Sequence, residues 1–476
     1  MRLPKVPALG ALAAALTLTA SVAQAAPLTR APYLQRVGPD TAMVAFRLGA
    51  DCTPEVQYSA QGSSTQVARS RDKGRVHAVV LTGLTPGTEY SYVVDACGNR
   101  TTPRKFRTAP VPGTRRVHFA AVGDFGTGGN DQQEVAASML GRRPELFIAV
   151  GDNAYASGTE AELQNNLFIP MADLLAEVPL YSVAGNHEYV TNQSQPYLDN
   201  LYLPTSPSGG ERYYSFDWGH VHFVGLDSNC AIGLASKERC TLAAQKAWLE
   251  KDLAASQADW KVVFFHHPPF SSGDHGSQLV MRREFGPLFE QYGVDLVLTG
   301  HDHNYERTHP LLGGAVAPSG KRGITYLVVG GGGAALREFS TSMPEWSAVR
   351  NNKDFGFLDV TVNEGTLTAQ LVTPTGKVAD AFTLTKQLGP RREPVLTSEQ
   401  QPAAAPPAEA APPAEAAPPA AAAPQPAPGS PAGSPPLSDE GSANAGCSTT
   451  PVGALLPLGA LALAGLLRRR RWSIGP

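Results

Sequence analysis

The chain has 476 residues, of which 42% are apolar, so it is long enough for two or three domains with ordinary hydrophobic cores. Its 39 basic and 42 acidic residues leave a net charge of −3. That balance excludes a general affinity for nucleic acid, which requires a strongly basic surface.

Residues 1–25 are typical of a secretory signal peptide. Arg2 and Lys5 precede an Ala- and Leu-rich run, and Ala23-Gln24-Ala25 provides a small-residue cleavage site. A retained membrane anchor is the weaker interpretation, because the apolar run is short and the cleavage site follows it. We therefore expect an exported protein, either secreted or held at the cell surface.

The five cysteines fit export into an oxidising compartment. Cys52 and Cys97 fall in one N-terminal region, and Cys230 and Cys240 flank a short polar loop, so each pair is a candidate disulfide. The sequence does not fix this connectivity. A zinc site is the competing interpretation, but no Cys-x-x-Cys spacing supports it.

Residues 28–110 alternate polar and apolar side chains, as in 41–47, and turn signals such as Gly38-Pro39-Asp40 interrupt the alternation. This pattern predicts a small antiparallel sandwich of about the size of an immunoglobulin or fibronectin type III domain. The turn at 84–90 resembles the fibronectin type III pattern. No residue here calls for chemistry, so we predict a spacer or docking module.

Residues 115–387 alternate apolar, strand-like runs with helix-like stretches such as 131–140 and 242–255. The alternation predicts a layered α/β domain with mixed strand pairing. Residues 388–446 consist mainly of Ala, Pro, Glu and Ser, a composition that predicts an extended, disordered linker without a core.

Residues 447–476 contain Cys447, an apolar run from Val452 to Leu467 and a final arginine cluster. A helix over these 16 apolar positions would span roughly 24 Å, which is marginal for a bilayer. The Pro-rich linker, the Gly-Cys pair, the apolar run and the basic cluster resemble the C-terminal sorting tails of myxobacterial surface proteins. That resemblance implies surface attachment, whereas a plain transmembrane anchor is the alternative.

Polar motifs follow five apolar runs of the α/β domain, and a further His-Gly pair, His275-Gly276, lies between the fourth and the fifth. Ligands gather at the carboxyl ends of strands in open α/β sheets, so we expect the motifs to meet at one edge. One strand-end histidine is weak support, but the complete set predicts a metal site. The five motifs are Gly123-Asp124-Phe125-Gly126, Gly151-Asp152-Asn153-Ala154-Tyr155, Gly185-Asn186-His187-Glu188, His266-His267-Pro268-Pro269 and Gly300-His301-Asp302-His303.

These motifs, in this order, resemble the calcineurin-like metallophosphoesterase superfamily and, within it, the purple acid phosphatases. The resemblance covers 115–387 through the motifs and 28–110 through the fibronectin-like domain of plant-type members. Most of the superfamily begins with Asp-x-His, whereas this chain has Asp124-Phe125-Gly126 and Tyr155 in place of the lost histidine, an exchange that purple acid phosphatases show. The resemblance implies an α/β metallophosphoesterase β-sandwich flanked by helices, with mixed sheets, after an all-β fibronectin type III-like sandwich.

The resemblance also implies a binuclear centre with Asp152 shared between Fe(III) and a divalent ion (Fe, Zn or Mn). The excess positive charge of such a centre suits a phosphate monoester, and the implied reaction is attack of a metal-bound hydroxide, with an acidic optimum. By resemblance, Asp124, Asp152, Tyr155 and His303 bind the iron, and Asp152, Asn186, His266 and His301 bind the divalent ion.

A proton donor is needed for the leaving alkoxide, and the candidates are His187, beside Asn186, and His275, nine residues beyond His266. An exposed loop histidine is the alternative for His275. The glycines at 330–333 lack a following Lys-Ser/Thr, so they predict a tight turn rather than a phosphate-binding loop. Four neighbours are predicted to orient ligands or support the structure: Glu188, Asp227, His267 and Asp302.

Two alternatives stay open at this point. A phosphodiesterase would use the same core, and the shape of the loops at 190–212 and 271–280 would decide between the two enzymes. A surface adhesion protein would use the sandwich for binding and the α/β core as a scaffold. Loss of a metal ligand would favour adhesion, and the sequence retains every one.

Overall fold

The computed structural model describes residues 26–206, 210–340 and 342–389. The predicted signal peptide and C-terminal tail lie outside these residues, as does nearly all of the predicted linker. Within the described ranges no helix is both long enough and apolar enough to cross a membrane.

The N-terminal region is an all-β sandwich, as predicted. One sheet has the strand order β1-β2-β5, and the other has β4-β3-β6-β7 with β8 also paired to β6. A disulfide joins Cys52, at the end of β2, to Cys97 just after β6. The strands are β1 (Leu28–Gln35), β2 (Ala42–Cys52), β3 (Glu55–Ala60), β4 (Gln66–Arg69), β5 (Gly74–Leu81), β6 (Glu89–Ala96), β7 (Asn99–Arg100) and β8 (Arg104–Arg107).

The sandwich packs closely against the larger domain through β1. Arg30 is only 2% exposed, and its guanidinium lies 3.7 Å from the centroid of the Phe168 ring. Its Nη1 donates to Oδ1 of Asn200 at 2.5 Å. From the other sheet, the Tyr92 hydroxyl donates to the carbonyl of Ala176 at 2.8 Å. Both sheets are therefore fixed to the larger domain, which fits docking better than spacing.

The larger domain contains two mixed sheets, with the orders β11-β10-β9-β21-β22-β23 and β12-β13-β14-β15-β19-β16-β20, and a separate β17-β18 hairpin. The first sheet consists of β9 (Arg116–Val122), β10 (Leu146–Ala149), β11 (Leu180–Ser182), β21 (Phe357–Asn363), β22 (Thr366–Val372) and β23 (Val378–Thr385). The second consists of β12 (Tyr214–Trp218), β13 (Val221–Gly225), β14 (Trp260–Phe264), β15 (Leu296–Thr299), β16 (Tyr305–Thr308), β19 (Thr325–Val329) and β20 (Ser347–Asn351), and the hairpin of β17 (Leu311–Leu312) and β18 (Ala315–Val316).

Helices connect the parallel strands of both sheets, except β15 and β19, which are joined through β16 and the β17-β18 hairpin. A π-helical turn occupies Leu163–Phe168, and a 3-10 turn occupies Asn192–Ser194. The second predicted disulfide, Cys230–Cys240, joins one helix to the chain just before the next. The α-helices are α1 (Asn130–Arg142), α2 (Glu160–Glu162), α3 (Ala172–Glu177), α4 (Asn186–Tyr189), α5 (Gln195–Asn200), α6 (Ser228–Ile232), α7 (Leu242–Ala255) and α8 (Leu279–Gln291).

The two sheets pack face to face through aromatic side chains. Phe119 of β9 meets Phe223 of β13 edge to face across the two sheets, with ring centroids 5.1 Å apart, and within the second sheet Phe216 of β12 stacks on Phe223 at the same distance. Strands β9, β10 and β11 run parallel, and so do β13, β14, β15 and β19. The predicted α/β fold with mixed sheets is confirmed, and the loops after these parallel strands form the site described below.

The strand next to one edge of the second sheet carries a buried ion-paired histidine. His222 on β13 contacts Asp217 of β12 at 2.6 Å and Asp252 of α7 at 2.8 Å, one through each ring nitrogen. Burial lowers the pKa of His222, but the hydrogen bonds to Asp217 and Asp252 outweigh it and raise the pKa to about 9. The charged ring therefore links a strand hairpin to a helix.

We expect this ion-paired histidine to make stability fall at alkaline pH. The folded-state pKa lies above the unfolded value of about 6.5, so the stabilisation is complete below that pH and is lost as pH rises through 9. His222→Gln should lower the free energy of unfolding by about 3 kcal/mol at pH 6 and by much less at pH 10, measured by urea denaturation. An equal loss at both pH values would contradict the charge-based account.

Candidate metal centre

All the predicted metal ligands come shortly after parallel strands, and they meet where the two sheets face each other. The first sheet and the second both contribute. Asp124 follows β9, Asp152 and Tyr155 follow β10, Asn186 begins α4 after β11, His266 follows β14, and His301 and His303 follow β15.

Three of these residues have left-handed backbone conformations, with φ of 57° at Asp124, 51° at Asp152 and 71° at His301. Non-glycine residues rarely adopt this region unless their surroundings hold them there. The backbone N–H of His301 donates to both carboxylate oxygens of Asp124, at 3.0 and 2.9 Å. The backbone N–H of His187 donates to Oδ1 of Asp152 at 3.1 Å. These bonds fix both carboxylates.

Glycines allow the backbone after one strand to lie close to the carboxylate that follows another strand. A Cβ atom on Gly185 would lie 2.0 Å from Oδ1 of Asp152, and one on Gly300 would lie 2.3 Å from Oδ2 of Asp124. No side chain fits at either position without displacing a carboxylate. The Gly-Asn-His and Gly-His-x-His motifs therefore need their glycines for space.

One group of donor atoms comprises Asp124, Tyr155 and His303. The Tyr155 hydroxyl oxygen lies 3.3 Å from Oδ1 of Asp124 and 3.1 Å from Nε2 of His303. Nδ1 of His303 donates to the carbonyl of Ala335 at 3.0 Å, so Nε2 carries the free lone pair of the neutral ring. A hydroxyl, a carboxylate and an imidazole thus point at one position.

A second group comprises Asp152, Asn186, His266 and His301. Oδ1 of Asn186 lies 3.0 Å from Nε2 of His266 and 3.0 Å from Nδ1 of His301. Nε2 of His266 is 3.4 Å from Oδ2 of Asp152. Ligand atoms of Asp124, Asp152 and His266 all lie within 4.8 Å of one another, so the two groups are contiguous.

The donor chemistry of both groups fits metal cations. Nδ1 of His266 donates to the carbonyl of Val150, so in the neutral ring the lone pair on Nε2 faces the oxygen lone pairs of Asn186. Lone pairs that converge in this way repel unless a cation lies between them. The carboxylate, phenol, amide and imidazole donors are ordinary ligands of first-row metals, and the set divides into two adjacent groups.

The pKa shifts lead to the same conclusion. Burial raises the pKa of Asp124, and the neighbouring Asp152 adds to the effect. Burial also raises the pKa of Tyr155, with Asp124 and Asp152 adding to it, so the phenol needs a nearby cation to ionise. Although burial lowers the pKa of His266, Asp152 raises it to about 9, because the carboxylate attracts a positive charge to that ring.

Glu188 holds the first two ligand loops together. It is fully buried, and its carboxylate accepts four backbone N–H groups. Oε1 accepts from Asn153 at 2.8 Å and Ala154 at 3.0 Å, and Oε2 accepts from Asp152 at 3.1 Å and Gly185 at 2.6 Å. The predicted orienting role of Glu188 agrees with these contacts.

The loop at 271–276, which carries His275, is held by two buried acids. Asp302 accepts from the hydroxyl of Ser271 and from the backbone N–H of His275, the latter at 2.8 Å. Glu306 accepts from both the backbone N–H and the hydroxyl of Ser272, each at 2.6 Å. The structural role predicted for Asp302 is therefore confirmed.

Asp227 is also structural, as predicted. It caps α6 by accepting the backbone N–H of Asn229 at 3.1 Å, and it accepts the hydroxyl of Tyr189. His267 contacts the hydroxyl of Ser228 through Nδ1 at 2.8 Å, and its ring lies 4.5 Å from that of His301. His267 thus packs against the ring of His301, a predicted ligand.

Both candidate proton donors lie at the site. The His187 ring packs against Tyr155 with centroids 4.5 Å apart, and its Nδ1 donates to the carbonyl of Ala156 at 2.5 Å. The His275 ring stacks on His301 at 4.3 Å. Nε2 of His275 accepts a hydrogen bond from Nη1 of Arg337, a residue that the sequence motifs did not predict. Burial lowers the pKa of His275, and Arg337 adds to that effect.

Comparison with protein families gives three matches in chain order. The descriptions are "Purple acid Phosphatase, N-terminal domain" for residues 32–108, "Calcineurin-like phosphoesterase" for 117–305 and "Iron/zinc purple acid phosphatase-like protein C" for 323–381. The last match covers the segment that includes Arg337, which lies outside the five sequence motifs.

Among curated relatives, purple acid phosphatase 15 of Arabidopsis thaliana is 30% identical over 55% of this chain, but the chain spans only 54% of that protein. "Probable inactive purple acid phosphatase 1" of the same plant is 26% identical over 68% of this chain and 60% of its own length. Among solved structures, a purple acid phosphatase from yellow lupin (Lupinus luteus) seeds shares the fold. Its TM-score is 0.64 at 21% identity, over 74% of each chain.

Proposed function

We propose that the chain is a member of the purple acid phosphatase family, which its three matches in chain order support, and that it is an exported binuclear metallophosphatase that hydrolyses phosphate monoesters. The observation that carries the proposal is the convergence of the two donor groups. Each predicted ligand is present, and each donor atom lies within about 3.7 Å of another.

We assign the ligands by donor chemistry and by family resemblance. Carboxylate and phenolate oxygens are hard donors that suit a trivalent ion, which favours Fe(III) at Asp124, Tyr155 and His303. Asn186 and the imidazoles of His266 and His301 suit a divalent ion such as Fe, Zn or Mn. Asp152, which lies between the groups, would bind both. When bound, such a pair lowers the pKa of water and polarises phosphate oxygens.

The directions of their hydrogen bonds indicate different roles for the two candidate proton donors, His187 and His275. Arg337 is always a donor, so Nε2 of His275 acts as an acceptor, and we assign His275 a positioning role. His187 uses Nδ1 to bond the carbonyl of Ala156, which leaves Nε2 at the site, 3.8 Å from Oδ2 of Asp152. We therefore assign proton delivery to the leaving alkoxide to His187.

Measurements of hydrolytic activity distinguish the proposed monoesterase from a phosphodiesterase and from an adhesion protein. An adhesion protein with a scaffold core needs no complete ligand set, whereas this chain retains every ligand. One relative is named as probably inactive, so family membership alone does not establish catalysis. Hydrolysis of an aryl phosphate, with less hydrolysis of a bis(aryl) phosphate, is the result expected for the proposed monoesterase. The two disulfides fit export, and the signal peptide and surface-attachment tail remain predictions.

We expect the purified protein to be coloured, because a tyrosinate bound to Fe(III) absorbs visible light. Tyr155→Phe should abolish the absorption band and lower the iron content, measured by visible spectroscopy and metal analysis. Tyr326→Phe is the matched control, because this buried tyrosine packs against Phe270 at 4.8 Å, in the second core cluster. Its loss should leave the colour unchanged. An active but colourless, iron-free protein would contradict the iron assignment.

A further inference from the structure

One cationic side chain at the metal centre has no role in the function proposed above. Arg337 belongs to residues 334–340, here called the rim segment, which runs along one side of the site. The backbone N–H of Ala334 donates to the carbonyl of Asp124 at 2.9 Å, and that of Arg337 donates to the carbonyl of His303 at 3.0 Å. The start of the rim segment is thus fixed to two predicted iron ligands.

The far end of the rim segment is fixed to the loop at 271–276. The backbone N–H of Ser340 donates to the carbonyl of Ser272 at 3.2 Å, and the Ser340 hydroxyl donates to the carbonyl of Gly273 at 2.8 Å. The Arg337 backbone therefore lies between two anchored points, and its position is defined by the site itself rather than by a free loop.

The Arg337 side chain points back to the metal centre. Its Nη1 donates to Nε2 of His275, whose ring stacks on that of His301 with centroids 4.3 Å apart. The backbone N–H of His275 donates to Oδ1 of Asp302 at 2.8 Å, so the residue that orients the guanidinium is also held in place. The ring of His275 therefore separates the Arg337 guanidinium from His301, a predicted ligand of the divalent ion.

The charge of Arg337 is not neutralised by the protein. Among residues 26–206, 210–340 and 342–389, no carboxylate forms an ion pair with it. The guanidinium of the nearby Arg350 is held by other partners, because it lies over the Phe339 ring at 4.6 Å and contacts the hydroxyl of Ser272 at 3.3 Å. Arg337 is partly exposed and has N–H groups beyond the one used on His275.

We propose that Arg337 is a specificity residue that selects the dianionic phosphoryl group of a monoester over the monoanionic group of a diester. This inference rests on the proposed function. A guanidinium binds phosphate oxygens through paired N–H groups, and its charge persists at every working pH. A monoester carries about one more negative charge than a diester at pH 7, so an added fixed cation favours the monoester. A diester also places a second ester group where the guanidinium would bind an oxygen.

The test compares Arg337→Met, Arg337→Lys and wild type at pH 7, on nitrophenyl phosphate and bis(nitrophenyl) phosphate. For Arg337→Met, kcat/KM on the monoester should fall about 100-fold, the usual cost of one lost phosphate or oxyanion donor, and kcat/KM on the diester by less than about threefold. The kcat/KM of Arg337→Lys on the monoester should lie between those of wild type and Arg337→Met, because lysine keeps the positive charge but lacks the paired N–H groups of the guanidinium. Arg283→Met, at an exposed arginine paired with Glu284, is the charge-matched control and should change neither activity.

Binding of inorganic phosphate provides a second readout that does not depend on turnover. Measured by calorimetry on metal-loaded protein, the phosphate Kd should rise at least about tenfold in Arg337→Met, with metal content and melting temperature unchanged. Equal losses on both esters, or unchanged phosphate binding, would overturn the inference. A wild-type protein that binds metals and phosphate but cleaves neither ester would instead overturn the proposed function.

Discussion

Glu188→Gln is expected to lower both the stability and the activity of the protein, although Glu188 does not belong to the predicted ligand set. Each carboxylate oxygen accepts two backbone N–H groups, from Asn153 and Ala154 on one side and from Asp152 and Gly185 on the other. Glutamine keeps one of these oxygens. Its amide NH₂ would replace the other oxygen in a fully buried pocket. The two backbone N–H groups that donate to that oxygen would lose their acceptor and would face another N–H donor instead.

We expect the free energy of unfolding to fall by about 3 kcal/mol, the usual cost of removing one partner from a buried charged network. The loops that carry Asp152 and Asn186 should shift, and a displacement of about 1 Å at a reacting centre lowers kcat by roughly 100-fold. Urea denaturation and steady-state kinetics measure the two effects. Glu211→Gln is the matched control, because among the described residues Glu211 accepts one backbone N–H, from Leu203 at 3.1 Å. A stable, fully active Glu188→Gln protein would show that the four bonds are dispensable.

The sequence was most informative where a strand and its ligand are adjacent in the chain. Buried apolar runs such as 146–149 are continuous, as strands covered on both faces require, and each is followed by a glycine turn with polar side chains. The residues after a strand of known direction lie at a known edge of the sheet. For that reason Asp152 and His301 could be placed together from the sequence, although they are distant in the chain.

The contacts that the sequence could not predict join segments with no shared local pattern. The rim segment contains no strand or helix, and nothing in Ala-Ala-Leu-Arg identifies Arg337 as a neighbour of His275. The antiparallel pairing of β21 with β9 is likewise fixed by the packing of the whole sheet rather than by a local signal. Docking of the sandwich depends on Arg30, a charged residue whose burial only its distant partners explain.

Asp152→Asn is expected to produce the largest loss of activity, because Asp152 is the one side chain assigned to both metals. The substitution keeps the volume of the side chain, the left-handed backbone at φ 51° and one oxygen, but it removes the negative charge that both ions would share. The new NH₂ group would also lie close to Nε2 of His266, which is 3.4 Å from Oδ2 of Asp152. Metal analysis should therefore find little of either ion. Since a bound metal supplies several kcal/mol to phosphoryl transfer, kcat should fall about 10,000-fold.

A second buried strand-end aspartate separates metal binding from stability. Asp227 is fully buried, follows β13 and binds the Tyr189 hydroxyl and the backbone of α6, but it belongs to neither donor group. Asp227→Asn should lower the free energy of unfolding and leave the metal content near that of wild type, whereas Asp152→Asn should remove the metals. If Asp152→Asn retained both metals, the ions would have to be held by two independent ligand sets, and the shared-carboxylate centre would be wrong.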